Sequence, residues 1–324
     1  MNSKKKRALG VSLVLAIVLV LAGTYAWFTS TDNVTNKFKT GALPDGSVKI
    51  VEDFEEPDPW LPDQEVKKEV GVLSNSNTDV VVRLSFKETL QKMEADGNKL
   101  KQYAYDTDQD SDTTLVPVPS VDFAANGYET PADLGLTPSG VPAGMTLVGK
   151  EVMTGKYEFA LYRTDATSGD LYKMDADFAY DLTASTVTVT NVKYLYYKLG
   201  TTATKDWATA PSPATADITK SAIDDKILLG YSSDVDTAAA TAGKWAYDPA
   251  GGWFYYIGKL APGEVSPLIL ETVKLDGSAD NTYQLMDYAL DVRIEALQAT
   301  EEAIDGGGFP GIPTSIANAI KAAL

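Results

Sequence analysis

The strongest constraint on this chain is a period of two. In the stretch Val80–Phe86, residues Val80, Val82, Leu84 and Phe86 fall on one face of an extended backbone, while Val81, Arg83, Ser85 and then Lys87 fall on the other. That alternation predicts a half-buried β-strand, with one row on a core and one in water. Similar readings place strands at Val48–Val51, Val66–Leu73, Ser185–Leu199 and Lys226–Tyr231, with the polar run Ser74–Asp79 as a turn. Lys244–Tyr247 and Trp253–Ile257 flank Asp248–Gly252 as a hairpin with a five-residue turn. A last β pair is expected from Leu268–Leu275 and Tyr283–Leu297, where Tyr288, Leu290, Val292, Ile294 and Ala296 alternate with Ala289, Asp291, Arg293, Glu295 and Leu297. Many strands divided by Gly, Pro and Asn turns predict an all-β, mainly antiparallel sandwich or jelly-roll-like domain with short helical insertions. A parallel α/β enzyme fold is disfavoured.

Other segments lack that period. Lys87–Ala95 has helical spacing at Leu90, Met93 and Glu94, and the Pro- and Gly-rich run Pro117–Gly149 has none. Residues from about 88 to 185 are therefore expected to be insertions on a β scaffold spanning 42–300. After Thr300, Gly306-Gly307-Gly308 reads as a flexible joint, and Ile316, Ile320 and Leu324 recur every four residues. Ten helical residues are marginal alone, so 301–324 is expected to be a Gly-linked, frayed tail, with a docking tail as the alternative.

Composition narrows the chemistry. With 45 acidic residues against 28 Lys and Arg, the net charge is −17, which argues against a nucleic-acid partner. The sequence has no His and no Cys, which removes Ser-His-Asp and Cys-His nucleophilic sites, His-ligated zinc and disulfides. It also has no Asp-Thr-Gly or Asp-Ser-Gly for an aspartic dyad, and no spacing marks a glycosidase pair of carboxylates. An enzyme is not expected, and neither is a cofactor. The one metal candidate is Asp106, Asp108, Asp110 and Asp112, spaced like the first half of a calcium loop. Ser111 and Pro117 stand where an EF-hand loop has Gly and Glu, so a solvated acidic loop is favoured over structural calcium.

The first 26 residues read as a secretory signal. Lys4, Lys5, Lys6 and Arg7 form a positive start, and Ala8–Ala22 is charge-free and apolar but short for a bilayer span. Thr24 and Ala26 are the small residues that a signal peptidase requires before a cut ahead of Trp27, the alternative being an uncleaved N-terminal anchor whose apolar stretch runs on through Trp27 and Phe28. Cleavage removes four basic residues and no acidic one, taking the net charge from −17 to −21. The product is an exported acidic protein that meets the membrane only as a precursor and has no disulfide to stabilise it. The following segment, 27–41, is extended by composition, with Phe28, Val34 and Phe38 on one face and Lys37 and Lys39 on the other. On pattern alone it is equally suited to be the first strand of its own domain.

Three blocks carry a resemblance. Thr24-Tyr25-Ala26-Trp27-Phe28 with the strand to Gly41 is similar to the start of proteins exported through a SipW-type signal peptidase, the TasA and camelysin family of Gram-positive biofilm matrix fibres. The block from Val66 through Asn75–Asp79 to the Val-Arg strand ending at Glu88 resembles that family's Asn turn and following strand. The third, Tyr256–Glu264 through Ala289–Ala299, resembles its Pro-Gly turn and closing Glu-Ala strand, with a clostridial branch nearest. The blocks span under a third of the chain, and the middle insertions match none of that pattern.

The resemblance implies a jelly-roll-like subunit that polymerises with itself. Its N-terminal strand would complete a neighbour's sheet, with Phe28, Val34 and Phe38 entering the acceptor groove and the product residing in the extracellular matrix or on the cell surface. Lys37 or Lys39 on that strand would be the donor of any intersubunit isopeptide bond, although a solvated lysine is the plainer reading. Some camelysin-like proteins are regarded as metallopeptidases, but this chain lacks His-Glu-x-x-His. The main alternative is a monomeric surface adhesin that binds a host or matrix ligand through Trp245, Trp253, Tyr255 and Tyr256. No Leu-Pro-x-Thr-Gly sorting motif is present for covalent wall attachment.

Overall fold

The computed structural model describes residues 43, 46–55, 57, 60–209 and 218–324. They form two compact units. The first combines the described residues up to Leu90 with Thr202–Ala279 and Asp287–Leu324, and the second combines Gln91–Thr201 with Asp280–Met286. The protein is all-β with short helical pieces, and its pairings are mainly antiparallel.

With strands numbered in chain order, the first unit contains β1 (Val48–Phe54), β2 (Glu65–Ser74), β3 (Val80–Gln91), β13 (Ala203–Asp206), β14 (Ile227–Tyr231), β15 (Val235–Asp236), β16 (Trp245–Asp248), β17 (Trp253–Tyr256), β18 (Leu270–Leu275) and β19 (Asp287–Gln298). One sheet runs β1-β2-β18-β14, antiparallel throughout. The other runs β13-β3-β17-β16-β15, with β19 also paired to β3. The inner faces meet through aromatic rings: Phe86 of β3 and Phe254 of β17 lie 6.4 and 5.5 Å from Tyr231 of β14.

The outer face of the second sheet is covered as well. Two helices, α1 (Glu301–Asp305) and α2 (Thr314–Ala322), follow β19. Ile304, Phe309, Ile316, Ala317 and Ile320 form one buried cluster with Val81, Trp253, Tyr255 and Leu297. Strand β3 is therefore buried on both faces, and Val81, Arg83 and Ser85 are as inaccessible as Val80, Val82 and Leu84. The expected half-buried strand is corrected here. Alternation marks which residues share a face, but a face rich in Val and Arg is buried when a later segment supplies the cover.

The same cluster corrects the expected tail. Residues 301–324 are packed rather than frayed, because a helix too short to persist alone is held by its apolar stripe. Thr300 caps α1 by accepting from Ala303 N at 3.1 Å. Gly308 is less a joint than a close approach: a Cβ there would press on the Leu297 side chain and the Ala303 carbonyl.

Two local expectations also fail. Lys87–Gln91 continues β3 and is not a helix, because β13 pairs with Lys87–Leu90 and fixes that backbone as strand. The expected last β pair is not a pair. β18 joins β2 and β14, whereas β19 joins β3 in the other sheet, and η1, a 3-10 turn at Asn281–Tyr283, lies between them. The hairpin of β16 and β17 forms in the register Trp245↔Tyr256 to Asp248↔Trp253. Its turn requires Gly252, which has φ +69° and whose Cβ would overlap the Trp207 carbonyl oxygen.

The second unit holds β4 (Ala95–Asp96), β5 (Lys99–Leu100), β6 (Tyr103–Tyr105), β7 (Leu115–Pro117), β8 (Thr137–Ser139), β9 (Met145–Met153), β10 (Lys156–Thr164), β11 (Leu171–Asp181) and β12 (Thr186–Lys198). Its main sheet runs β6-β12-β11-β10-β9, with β7 and β8 also on β12. Leu136, Leu147, Phe159, Leu161, Met174, Val187 and Val189 make its core. The region expected to be insertions thus contains a folded sheet of its own.

Ile320 is fully buried in the cluster beneath α2. Ile320→Ala is expected to destabilise the first unit by about 2–5 kcal/mol in urea unfolding. A frayed tail would give almost no change.

Candidate assembly edge and buried polar sites

Sheet edges are where a β protein can accept another strand, because an edge presents backbone N–H and C=O groups to whatever lies beside it. The two edges of the β1-β2-β18-β14 sheet differ. At β14 the neighbouring segment lies alongside: Ser221 N donates to Ile227 O at 2.8 Å and Leu229 N donates to Thr219 O at 2.7 Å. At the other edge, β1 pairs with β2 and with no other strand among the described residues. Its burial alternates, with Val48, Ile50, Glu52 and Phe54 turned inward and Lys49, Val51 and Asp53 exposed.

The residues that lead into β1 are tied down by the Asn turn. Asn75 N donates to Ser47 O at 2.8 Å, and Asn75 Nδ2 donates to Gly46 O at 3.2 Å. Gly263 N donates to Ser74 O and Ser74 N donates to Glu264 O, both at 2.8 Å, so the Pro-Gly turn lies against the end of β2. The second and third blocks of the resemblance are therefore neighbours in space.

They meet again in the buried layer. Arg83 Nε donates to Glu295 Oε2 at 2.9 Å, and its Nη2 donates to the same oxygen at 2.6 Å. Arg83 Nη1 donates to Tyr255 OH at 3.1 Å and to Pro310 O at 3.2 Å. The guanidinium stacks 3.9 Å from the Trp253 ring and 4.9 Å from that of Phe309. Burial pushes the Tyr255 hydroxyl above its ordinary value, against the opposing pull of Arg83. One side chain thus connects β3, β17, β19 and the segment before α2. The pattern alone marked Arg83 as solvent-facing, and only knowledge of what covers that face could have corrected it.

On the opposite face of β3, Glu88 is fully buried and accepts from neutral donors: Trp207 Nε1 at 2.7 Å, Ala222 N at 2.8 Å, Tyr288 OH at 2.9 Å and the Ser221 hydroxyl. Burial, and then the Glu88 charge, hold the Tyr231 and Tyr288 hydroxyls well above their ordinary range. These contacts satisfy a buried carboxylate and fasten separate segments to β3.

Of the expected metal residues, Asp108 and Asp110 come together around Arg163 and Tyr196, while Asp106 and Asp112 do not join them. Asp110 accepts from Arg163 Nη1 at 2.6 Å, Asp108 accepts from Tyr196 OH at 2.7 Å, and Gln109 N donates to that hydroxyl at 2.9 Å. Asp112 folds onto its own turn by accepting from Thr114 N at 2.9 Å, and Asp106 is exposed after β6. Among the described residues no group of three or more acidic side chains is placed to hold a metal ion. The Arg163 hydrogen bond, foremost, pulls the Asp110 carboxyl below its ordinary value, while burial and the neighbouring carboxylates push the Tyr196 hydroxyl up.

The other predicted sites are resolved differently. Trp245, Trp253, Tyr255 and Tyr256 are all buried, which takes them away from the adhesin's proposed binding surface. Thr24, Ala26, Trp27, Phe28, Val34, Lys37, Phe38 and Lys39 lie outside the described residues. Among the described residues no helix is long and apolar enough to cross a membrane. No known protein family, curated protein or solved structure matches the chain.

Removing Arg83 takes two hydrogen bonds from the buried Glu295 carboxylate and leaves it only Arg293, whose Nη2 donates at 2.8 Å. Arg83→Ala is therefore expected to cost roughly 3–5 kcal/mol of unfolding free energy, and a paired Arg83→Met, Glu295→Met variant to recover most of it. A second prediction concerns pH. Because the folded Asp110 carboxyl titrates below its ordinary 3.8, its stabilisation is complete above that value and is lost as pH falls through the lower, folded one. Acid unfolding followed by tyrosine fluorescence is expected to begin at a higher pH in Arg163→Met, which lacks the partner that depresses Asp110.

Proposed function

We propose that this chain is a secreted structural subunit that polymerises into a biofilm matrix fibre, each copy adding its N-terminal strand to a sheet edge of the next. The observation that supports the reading best is the asymmetry of the β1-β2-β18-β14 sheet, in which, among the described residues, β14 is flanked and β1 is paired on one side only. A strand laid on such an edge satisfies its backbone groups there, and its alternate side chains select the register. Phe28, Val34 and Phe38 supply an apolar row at the required spacing.

Each large apolar side chain so buried would contribute about 1.5–3 kcal/mol before the entropy of ordering the segment is subtracted. Several side chains together must overcome that entropy, which makes the whole segment the unit of assembly. In this reading a SipW-type peptidase cuts between Ala26 and Trp27 and releases the strand from the membrane. The homopolymer then forms outside the cell, and no cofactor or catalytic residue takes part.

Electron microscopy of the mature protein is expected to show fibres, and a form lacking residues 27–41 is expected to remain monomeric under the same conditions. Normal fibres from the truncated form would overturn strand addition, and a mature protein that remains monomeric at every concentration would overturn the fibre itself.

A further inference from the structure

Lysine is among the residues least often buried, and Lys68 is buried with one carboxylate beside it. It sits on β2 in the inward row with Val66, Val70 and Val72. The pairing register sets Phe54 opposite Lys68 and Glu52 opposite Val70, so Glu52 and Lys68 are diagonal neighbours on one face of adjacent strands. Lys68 Nζ donates to Glu52 Oε1, and the Phe54 ring lies 4.8 Å from the nitrogen. The side chains of Lys68 and Glu52 are only 4% and 12% exposed. The other lysine–carboxylate pairs of the described residues involve lysines from 23% to 47% exposed, which leaves this pair alone in being sequestered from water.

Burying two opposite charges costs desolvation on both, and that cost disappears if the pair becomes neutral and covalent. A lysine amine and a carboxyl held together with water excluded are the reactants of amide formation, with proximity replacing an activating group. A second carboxyl is near. Asp291 on β19 is raised above its ordinary value by burial, against the opposing charges of Lys87 and Lys68. β1 packs against β19, so this carboxyl belongs to the same corner of the unit.

We propose that Lys68 and Glu52 are a self-modification site, joined by an intramolecular isopeptide bond between Lys68 Nζ and Glu52 Cδ. In the step, one proton passes from the ammonium to the carboxylate, and the Nζ lone pair attacks Cδ to form the C–N bond. A second proton leaves the nitrogen for the departing oxygen, the C–O bond breaks, and water is released. Asp291, from the strand packed beside β1, would serve to ferry that proton and would end in the state in which it began. No oxidant, reductant or external donor is consumed. The bond fastens β1, the edge strand of its sheet among the described residues, to β2, and forming it does not depend on assembly.

The test is the intact mass of the purified full chain under denaturing conditions, after its N-terminus has been established. The protein is expected to be lighter than its sequence by one water, and Lys68→Arg and Glu52→Ala variants are expected to have their full sequence masses. Mass is read whether or not a variant folds. A wild-type protein at its full sequence mass would overturn the proposal and leave an ion pair. A missing water that persists in both variants would overturn it equally, because the loss would then lie elsewhere.

Discussion

The first unit depends on β3 being buried from both sides. From Val80 to Phe86 that strand has no face to give to water, so every side chain there must be apolar or fully partnered. Val80, Val82, Leu84 and Phe86 meet that demand toward the other sheet, and Val81 meets it toward α2. The strand's buried Arg83, Ser85 and Glu88 are each answered. Arg83 takes Glu295, Tyr255 and the Pro310 carbonyl, Ser85 donates to the Gly252 carbonyl at 2.7 Å, and Glu88 collects neutral donors. Each partner comes from a segment distant in sequence. The polar groups of β3 therefore specify which later segments may pack there, while the apolar groups supply the larger share of the free energy.

This arrangement explains how a chain with no cysteine holds a three-layer core. Cross-linking is replaced by covering, since the C-terminal segment closes the outer face and Arg83 ties that segment's backbone to the central strand. It also bears on function. Both faces of the β3 sheet are occupied, so growth by face-to-face stacking has little apolar surface to use there. The proposed strand addition at the β1 edge would need only backbone pairing and a row of inward side chains.

Much of the scaffold was legible from the chain itself. The strands around Val48, Val66, Val80, Thr186, Ile227, Trp245 and Trp253 follow from alternation and from turn residues, which are local properties. What failed was non-local. Lys87–Gln91 has helical spacing, but a neighbouring strand fixes its backbone. Leu270–Leu275 and Asp287–Gln298 look like partners because they are adjacent in sequence, yet each pairs with a distant strand. The tail looked dispensable because ten residues of helix carry little propensity, whereas its burial comes from Trp253, Tyr255 and Phe309. Of the candidate site, Asp108 and Asp110 were visible as a charged pattern, but Arg163, their partner, lies more than fifty residues away and carries no signal that would link it to them. Lys68 and Glu52 likewise carry no signal in the sequence, since a lysine on a strand is ordinarily solvated.

The claim that the C-terminal segment is a structural layer and not an appendage is tested most directly by native-state hydrogen exchange. Amides of Thr314–Ala322 are predicted to open only with those of Val80–Phe86, at the free energy of global unfolding and with the same dependence on denaturant. Exchange of the helix at a much lower free energy, with β3 still protected, would contradict the account.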